Sequence, residues 1–159
     1  MLDDLSNRLF FRLYQTANVL NKVGTRALDS EQVTTQQWSI LGALSRETVP
    51  EGMTVSELCD YLMVSRQNMT GLLGRLEERG VVSRSVDPQD NRSRRICITE
   101  KGRELWSVIT PLIQGFYEEA AKGLSYDDRI SCVHYLNRLL GNMKDMDRIQ
   151  TGSGEHSGT

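Results

Sequence analysis

The chain has 159 residues, 38% hydrophobic and 25% charged, with a net charge of −2 at pH 7. That length suffices for one compact domain whose core folds alone, and no apolar run approaches the roughly 18 residues of a membrane-spanning helix. The N-terminal "MLDDLSNRLFFRLYQ" is interrupted by acids and arginines, unlike a secretory signal, so the chain reads as cytosolic.

In chain order, Leu2, Leu5, Leu9, Leu13, Ala17 and Leu20 recur at spacings of three and four, which predicts an amphipathic helix over residues 2–23. "TTQQWSILGAL" opens with Thr34 or Thr35 as N-cap and sets Trp38, Leu41 and Leu44 on one stripe. Pro50 and Gly52 of "VPEGMT" break that pattern. Thr54 and Glu57 then form a capping box ahead of a short third helix bearing Val55, Leu58 and Leu62. Ser65 caps a fourth, with Met69, Leu72, Leu73 and Leu76 along one face and Gly80 at its end. Two short helices joined by so tight a turn form a helix-turn-helix, whose second helix fits the DNA major groove. Most such pairs are only packing units, so the next segment decides.

That segment alternates with period two in "VVSRSV" and again in "RRICIT", a β-hairpin with Val82 and Val86 set against Ile96 and Ile98. The "DPQDNRS" between them consists of turn formers and projects as a loop. Residues 65–103 carry nine Lys/Arg against five acids, a local +4 that leaves −6 for the remainder. Such a split points to a polyanion met at one face. Helix-turn-helix followed by a basic hairpin is a winged helix, with Arg92 at the loop tip suited to the negative potential of a narrow minor groove. On the fourth helix Arg66, Gln67, Thr70, Gly71 and Arg75 face outward; Gln and Asn suit adenine edges and Arg suits guanine. Gly71 and Gly74 permit close backbone approach or are ordinary exposed glycines.

Thr99 caps a long fifth helix with Leu105, Val108, Ile109, Leu112 and Phe116 on its apolar side and a kink at Pro111. A sixth runs from Tyr126 to Met146, and the polar tail 149–159 reads as disordered. The terminal helices, about 2–28 and 103–146, flank a winged helix of about 34–99 and leave apolar stripes that a monomer does not cover. A two-fold homodimer covers them and presents two recognition helices to a pseudo-palindromic operator. The expected fold is mainly α with a small β-hairpin wing: a winged helix-turn-helix with N- and C-terminal dimerisation helices, in one unit over 1–148.

Catalytic groups are sparse. His134 and His156 are the only histidines, and Cys132 and His134, two apart on a helix, point in opposite directions. No phosphate loop, HExxH or CxxC occurs, so no enzyme activity, metal or cofactor is expected. Cys59, Cys97 and Cys132 lie more than 30 residues apart and read as reduced, structural thiols.

This order of elements resembles the MarR family of bacterial winged-helix regulators. "DPQDNRSRRICITEKG" is similar to that family's wing signature, Asp-x-Arg followed by Leu-Thr-x-x-Gly, with Asp90, Arg92, Thr99 and Gly102 in place and Ile98 standing for leucine. "VTTQQWSILGAL" and "VSRQNMTGLLGRLEERGVVSR" are similar to its second helix and recognition helix, and the resemblance covers residues 5–146. It implies an obligate dimer that represses, or occasionally activates, transcription and is released from double-stranded DNA by a small ligand or by thiol oxidation. By the same likeness Asp90 braces the wing through a salt bridge and Arg92 enters the minor groove. Ser65, Arg66, Gln67, Asn68 and Thr70 contact bases and phosphates, and Arg75 reaches a phosphate; Arg84 and Arg94 of the hairpin join this DNA-facing set. The implied effector is an aromatic carboxylate, a phenolic or a coenzyme A thioester, lodged between the dimerisation helices and the winged helix. Phe10, Phe11, Tyr14, Trp38 and Ile113 are candidates for its seat, and all are equally good core residues. Arg12 and Arg46 either pair with an anionic ligand or are solvated helix charges. The family's peroxide sensors carry a cysteine near the N-terminus, whereas the first here is Cys59, which favours a ligand-released repressor over a thiol switch. A winged helix used for protein or RNA contact is disfavoured by the basic hairpin tip and the lack of exposed aromatic platforms.

Overall fold

A computed structural model describes residues 3–152, with side chains to 149. The elements are α1 (Asp4–Ala27), α2 (Thr35–Leu44), β1 (Met53–Thr54), α3 (Val55–Leu62), α4 (Arg66–Glu78), β2 (Val82–Val86), β3 (Arg94–Ile98), α5 (Glu100–Ala120) and α6 (Tyr126–Gly152), with one 3-10 turn, Asp29–Glu31, after α1. Leu2, expected in the first helix, lies outside the described residues.

Local chemistry fixes the helix starts. Thr34, rather than Thr35, caps α2: its N–H donates to Gln37 Oε1 at 3.0 Å and its Oγ1 accepts from Gln37 N at 3.2 Å. Thr54 and Glu57 close the same reciprocal box at 2.7 and 3.2 Å, and Ser65 Oγ accepts from Asn68 N at 3.2 Å. Thr99 Oγ1 accepts from Gly102 N at 3.0 Å while donating to Gly80 O at 2.7 Å, which joins the start of α5 to the turn after α4. Each such cap contributes on the order of 1 kcal/mol. A left-handed Met63 (φ 55°) ends α3, and Gly80 (φ 72°) follows α4.

The core joins α2, α3, α4, the sheet and α5 through Ile40, Leu41, Leu58, Met69, Leu73, Leu76, Ile96 and Ile109, all out of contact with solvent. On α5 the buried positions are Gly102, Ile109 and Ile113, while Val108 and Leu112, expected on the apolar side, are exposed. The helix continues unbroken through Pro111.

The sheet has three antiparallel strands in the order β1-β3-β2. β1, which the sequence reading treats as part of a breaking turn, pairs Met53 with Ile96 and Thr54 with Arg95. Gly52 permits this approach: at φ 77°, a Cβ there would lie 2.1 Å from the Ile96 carbonyl oxygen. In the hairpin Val82 opposes Ile98 as expected, but Arg84 opposes Ile96, and Val86 opposes Arg94 and is exposed. One face of the hairpin therefore changes from apolar at its base to cationic beyond the edge of the core.

The chain divides into two compact units between Phe116 and Tyr117. In the second, α6 opens with another reciprocal cap: Ser125 Oγ accepts from Asp128 N at 3.1 Å and Asp128 Oδ2 accepts from Ser125 N at 2.8 Å. Hydrogen bonds from the Ser125 side chain and then its backbone hold the Asp128 carboxyl below the usual carboxylate range. The helix runs to Gly152, so residues 149–152, expected as tail, are helical, while 153–159 lie outside the described residues. Leu5, Leu9 and Leu20 of α1, and Ile130, Val133, Leu136 and Met143 of α6, present exposed apolar side chains. Among the described residues no helix is long and apolar enough to cross a membrane.

Candidate nucleic-acid interface

Met69, Leu72, Leu73 and Leu76 bury one side of α4 and so turn Arg66, Gln67, Asn68, Thr70, Gly71 and Arg75 to solvent. Their polar groups are not equally free. Ser65 is committed to the cap, and the Thr70 hydroxyl donates back to Arg66 O at 2.9 Å. The guanidinium of Arg66 donates to Ser56 Oγ at 2.6 Å, tying the recognition helix to the first turn of α3. The side chains of Gln67, Asn68 and Arg75 have no hydrogen-bond or ionic partner among the described residues.

The wing shows a substitution of roles. Asp90, expected to brace it by a salt bridge, instead accepts from the backbone N–H of Arg92 at 2.9 Å, an Asx-type turn bond. The bracing ion pair is Asp87 with Arg95, at 3.1 Å. Asp87 is buried, although the loop it opens was expected to project, and its other oxygen accepts from Gln89 N at 2.9 Å. That backbone bond, followed by the bond and charge of Arg95, holds the Asp87 carboxyl below its usual range against the opposing effect of burial. The Arg92 side chain is exposed and has no partner among the described residues. Arg94 donates to the carbonyls of Asn91 and Ser93 at 3.1 and 3.2 Å. Arg84 is taken up by a bidentate pair with Glu77 of α4.

Between the wing and the starts of α3 and α4 lies an open cleft of about 290 Å³ where Arg66, Arg84, Arg92 and Arg94 converge, with Thr54, Ser56 and Ser93. The positive end of α3 adds to this field. Other cations of the basic segment are used internally: Arg79 donates to the carbonyls of Gln32 and Glu31 at 2.8 and 3.1 Å, Lys101 to Arg79 O at 2.7 Å, and Arg103 to Glu100 at 3.1 Å.

The five candidate ligand residues fall into two sets. Phe10, Phe11 and Tyr14 are exposed on α1, whereas Trp38 and Ile113 are core, with the Trp38 ring 5.8 Å from that of Phe116. Arg46 stacks over the Tyr61 ring at 4.7 Å, and Arg12 donates to Gln15 at 3.2 Å. A smaller hollow of about 210 Å³, rimmed by Asn21, Gln36 and Ser39 and floored by Ile40, Leu62, Val64, Met69 and Leu72, backs onto the recognition helix. Cys59 and Cys97 are half-buried, with Cys97 Sγ donating to Glu51 O at 3.3 Å, but Cys132 is exposed and does not fit the structural role expected of it.

A capped helix-turn-helix whose exposed amides sit beside a hairpin of converging arginines defines a winged-helix transcription regulator. A profile of the MarR family matches residues 31–93. The chain is 52% identical, over 91% of its own length and 83% of the relative's, to the transcriptional activatory protein BadR of Rhodopseudomonas palustris. Among solved structures, the S. aureus MepR–DNA complex superposes with a TM-score of 0.73 at 20% identity, covering 84% of this chain and 94% of that one. CouR from Rhodococcus jostii RHA1 bound to p-coumaroyl-CoA gives 0.73 at 22%, covering 89% and 95%. The chain belongs to the MarR family of transcription regulators.

Proposed function

We propose that the protein binds a two-fold operator as a homodimer, reading bases with Gln67 and Asn68 in the major groove and placing Arg92 in the adjacent minor groove, and that a small anionic effector alters this binding. The observation that carries the reading is the convergence of Arg66, Arg84, Arg92 and Arg94 on one cleft next to the unpartnered side chains of α4. The exposed apolar faces of α1 and α6 support dimerisation. Effector control draws support from the CouR complex, whose bound thioester belongs to the class that the family resemblance implies. The hollow behind Met69 and Leu72 is the proposed seat for the effector's acyl end, since filling it acts directly on the recognition helix. As to sign, the R. palustris relative is an activatory protein, which favours activation over the repression expected from the family resemblance. No catalysis and no required metal or cofactor belong to this reading.

The test is selection of bound duplexes from a random pool, followed by titration of the preferred duplex with aromatic acids and their coenzyme A thioesters. A palindromic preference, steep loss of affinity with salt and a response to one of these compounds are expected. A flat salt response overturns the DNA reading.

A further inference from the structure

We infer that Arg95 is a positioning residue for DNA binding: it holds the wing at a fixed height over the starts of α3 and α4, so that Arg92 reaches the duplex, and does not itself touch DNA. The inference rests on the DNA-binding reading above.

Arg95 stands in "RSRR", the most basic run of the chain, and by charge alone it counts as a phosphate contact. The register of β3 places it otherwise. Arg94 and Ile96 share the face of the hairpin that carries Val82 and Arg84, while Arg95 lies on the opposite face, across from Ser85 on one side and Thr54 on the other. Its guanidinium meets acceptors from three separate segments. Nη2 donates to Gly52 O at 2.7 Å and Nε to Glu51 O at 3.2 Å, both in the turn before β1. Nη1 donates to Asp87 Oδ2 at 3.1 Å at the base of the wing loop. Glu57 Oε2, in the first turn of α3, stands 3.5 Å away.

The two carboxylates each have a second tie. Glu57 Oε2 also accepts from Thr54 N and so closes the box that starts α3, and Asp87 also fixes Gln89 through its other oxygen. One planar fork thus links the helix-turn-helix to the wing. Its donors are largely consumed by protein acceptors, and its side chain is only 20% exposed, which leaves little for a phosphate. Arg92 has the opposite character, exposed and without a side-chain partner among the described residues. The wing loop has no apolar core of its own; backbone bonds among Asp87, Asp90 and Ser93 close it, and this fork fixes the closed loop against the helix-turn-helix, which sets where Arg92 sits.

The test compares the wild-type protein with Arg95→Met, Arg92→Ala and the double variant, on the selected duplex and on a duplex trimmed of its outer minor-groove positions. Wild type is expected to favour the full duplex by roughly tenfold, the scale of one specific groove contact. Arg95→Met is expected to lose that preference while keeping its choice of major-groove bases, and the double variant to bind no more weakly than Arg92→Ala alone. Additive losses, with the salt slope falling by about one further unit, make Arg95 a phosphate contact and overturn the inference. A retained preference for the full duplex overturns it too, leaving Arg95 a purely structural strut. Should Arg95→Met fail to fold, Asp87→Asn removes the same ion pair with a smaller change and is read by the same comparison. A wild-type protein that discriminates among no duplexes overturns the DNA reading itself, an outcome distinct from failure of the Arg95 variants alone.

Discussion

The recognition helix and the wing present polar groups to the same cleft by opposite means. Helix α4 is a rod anchored by Met69, Leu72, Leu73 and Leu76, so the apolar side does the positioning and Gln67, Asn68 and Arg75 are left without internal partners among the described residues. The wing loop has no such anchor. Its shape rests on the Asp87–Arg95 pair, on turn bonds to Gln89 and Arg92, and on backbone bonds among Asp87, Asp90 and Ser93. The geometry of the side chains proposed to read bases therefore comes from hydrophobic burial, which salt and pH barely affect, and the placement of Arg92, proposed for the minor groove, draws also on charge, which responds to both.

Breaking the helix side of this contrast should have the largest effect. Leu73 is fully buried, and Leu73→Ala is expected to destabilise the fold by about 2–5 kcal/mol, read as a lower urea midpoint at unchanged slope. Asn68→Ala removes an unpartnered exposed amide, so stability should stay within about 0.5 kcal/mol. Preference at one operator position should weaken by about 1–3 kcal/mol, measured against a panel of single-base operator variants. An equal loss on every variant would mean that Asn68 touches backbone rather than a base.

The same contrast explains what the sequence revealed. The caps at Thr54 and Ser65 and the apolar stripe of α4 depend on residues within a few positions of one another and were legible, while the cap of α2 was legible only as Thr34 or Thr35. Strand β1 was not: it has two residues, its partner lies more than forty positions on, and the need for Gly52 comes from the carbonyl of Ile96. Gly102 belonged to a recognisable motif, but its physical cause, a Cβ that would fall 2.1 Å from Val81 O, required the fold. Positive charge was visible at Arg79, Arg84 and Arg95, whereas their partners at Gln32, Glu77 and Asp87 were not. Within "DPQD" the two aspartates are chemically alike, and only tertiary structure decides that Asp87 turns inward to the ion pair while Asp90 serves the turn.

Two smaller effects probe the electrostatic side. The folded pKa of Asp87 is depressed, first by the Gln89 backbone and then by Arg95. Its contribution is therefore fully present above the unfolded aspartate value of about 3.9 and is lost as pH falls through the lower folded value. Between wild type and Asp87→Asn, the stability gap should stay constant from neutrality down to the unfolded aspartate value of about 3.9 and narrow below it, as followed by urea unfolding at stepped pH. A gap that closes already near neutral pH would place the controlling group elsewhere.

The smallest expected effect decides to which side Arg84 belongs. Its pair with Glu77 is partly exposed, at 39% and 28% of the side-chain surfaces, so the pair contributes at most ~1 kcal/mol to folding. On DNA the pair has a different consequence, because a carboxylate beside the cleft offsets the cation and repels a phosphate. Glu77→Gln should then raise duplex affinity by up to about fivefold, the equivalent of that ~1 kcal/mol, and steepen the salt dependence by up to one phosphate contact. The gain should vanish when Arg84→Ala is added, which separates release of Arg84 from the general loss of one negative charge. If Glu77→Gln brings no gain, Arg84 stays with α4 when DNA is bound. It would then stand with Arg95 as a strut between strand and helix, leaving Arg66, Arg92 and Arg94 as the cleft's cations for the duplex.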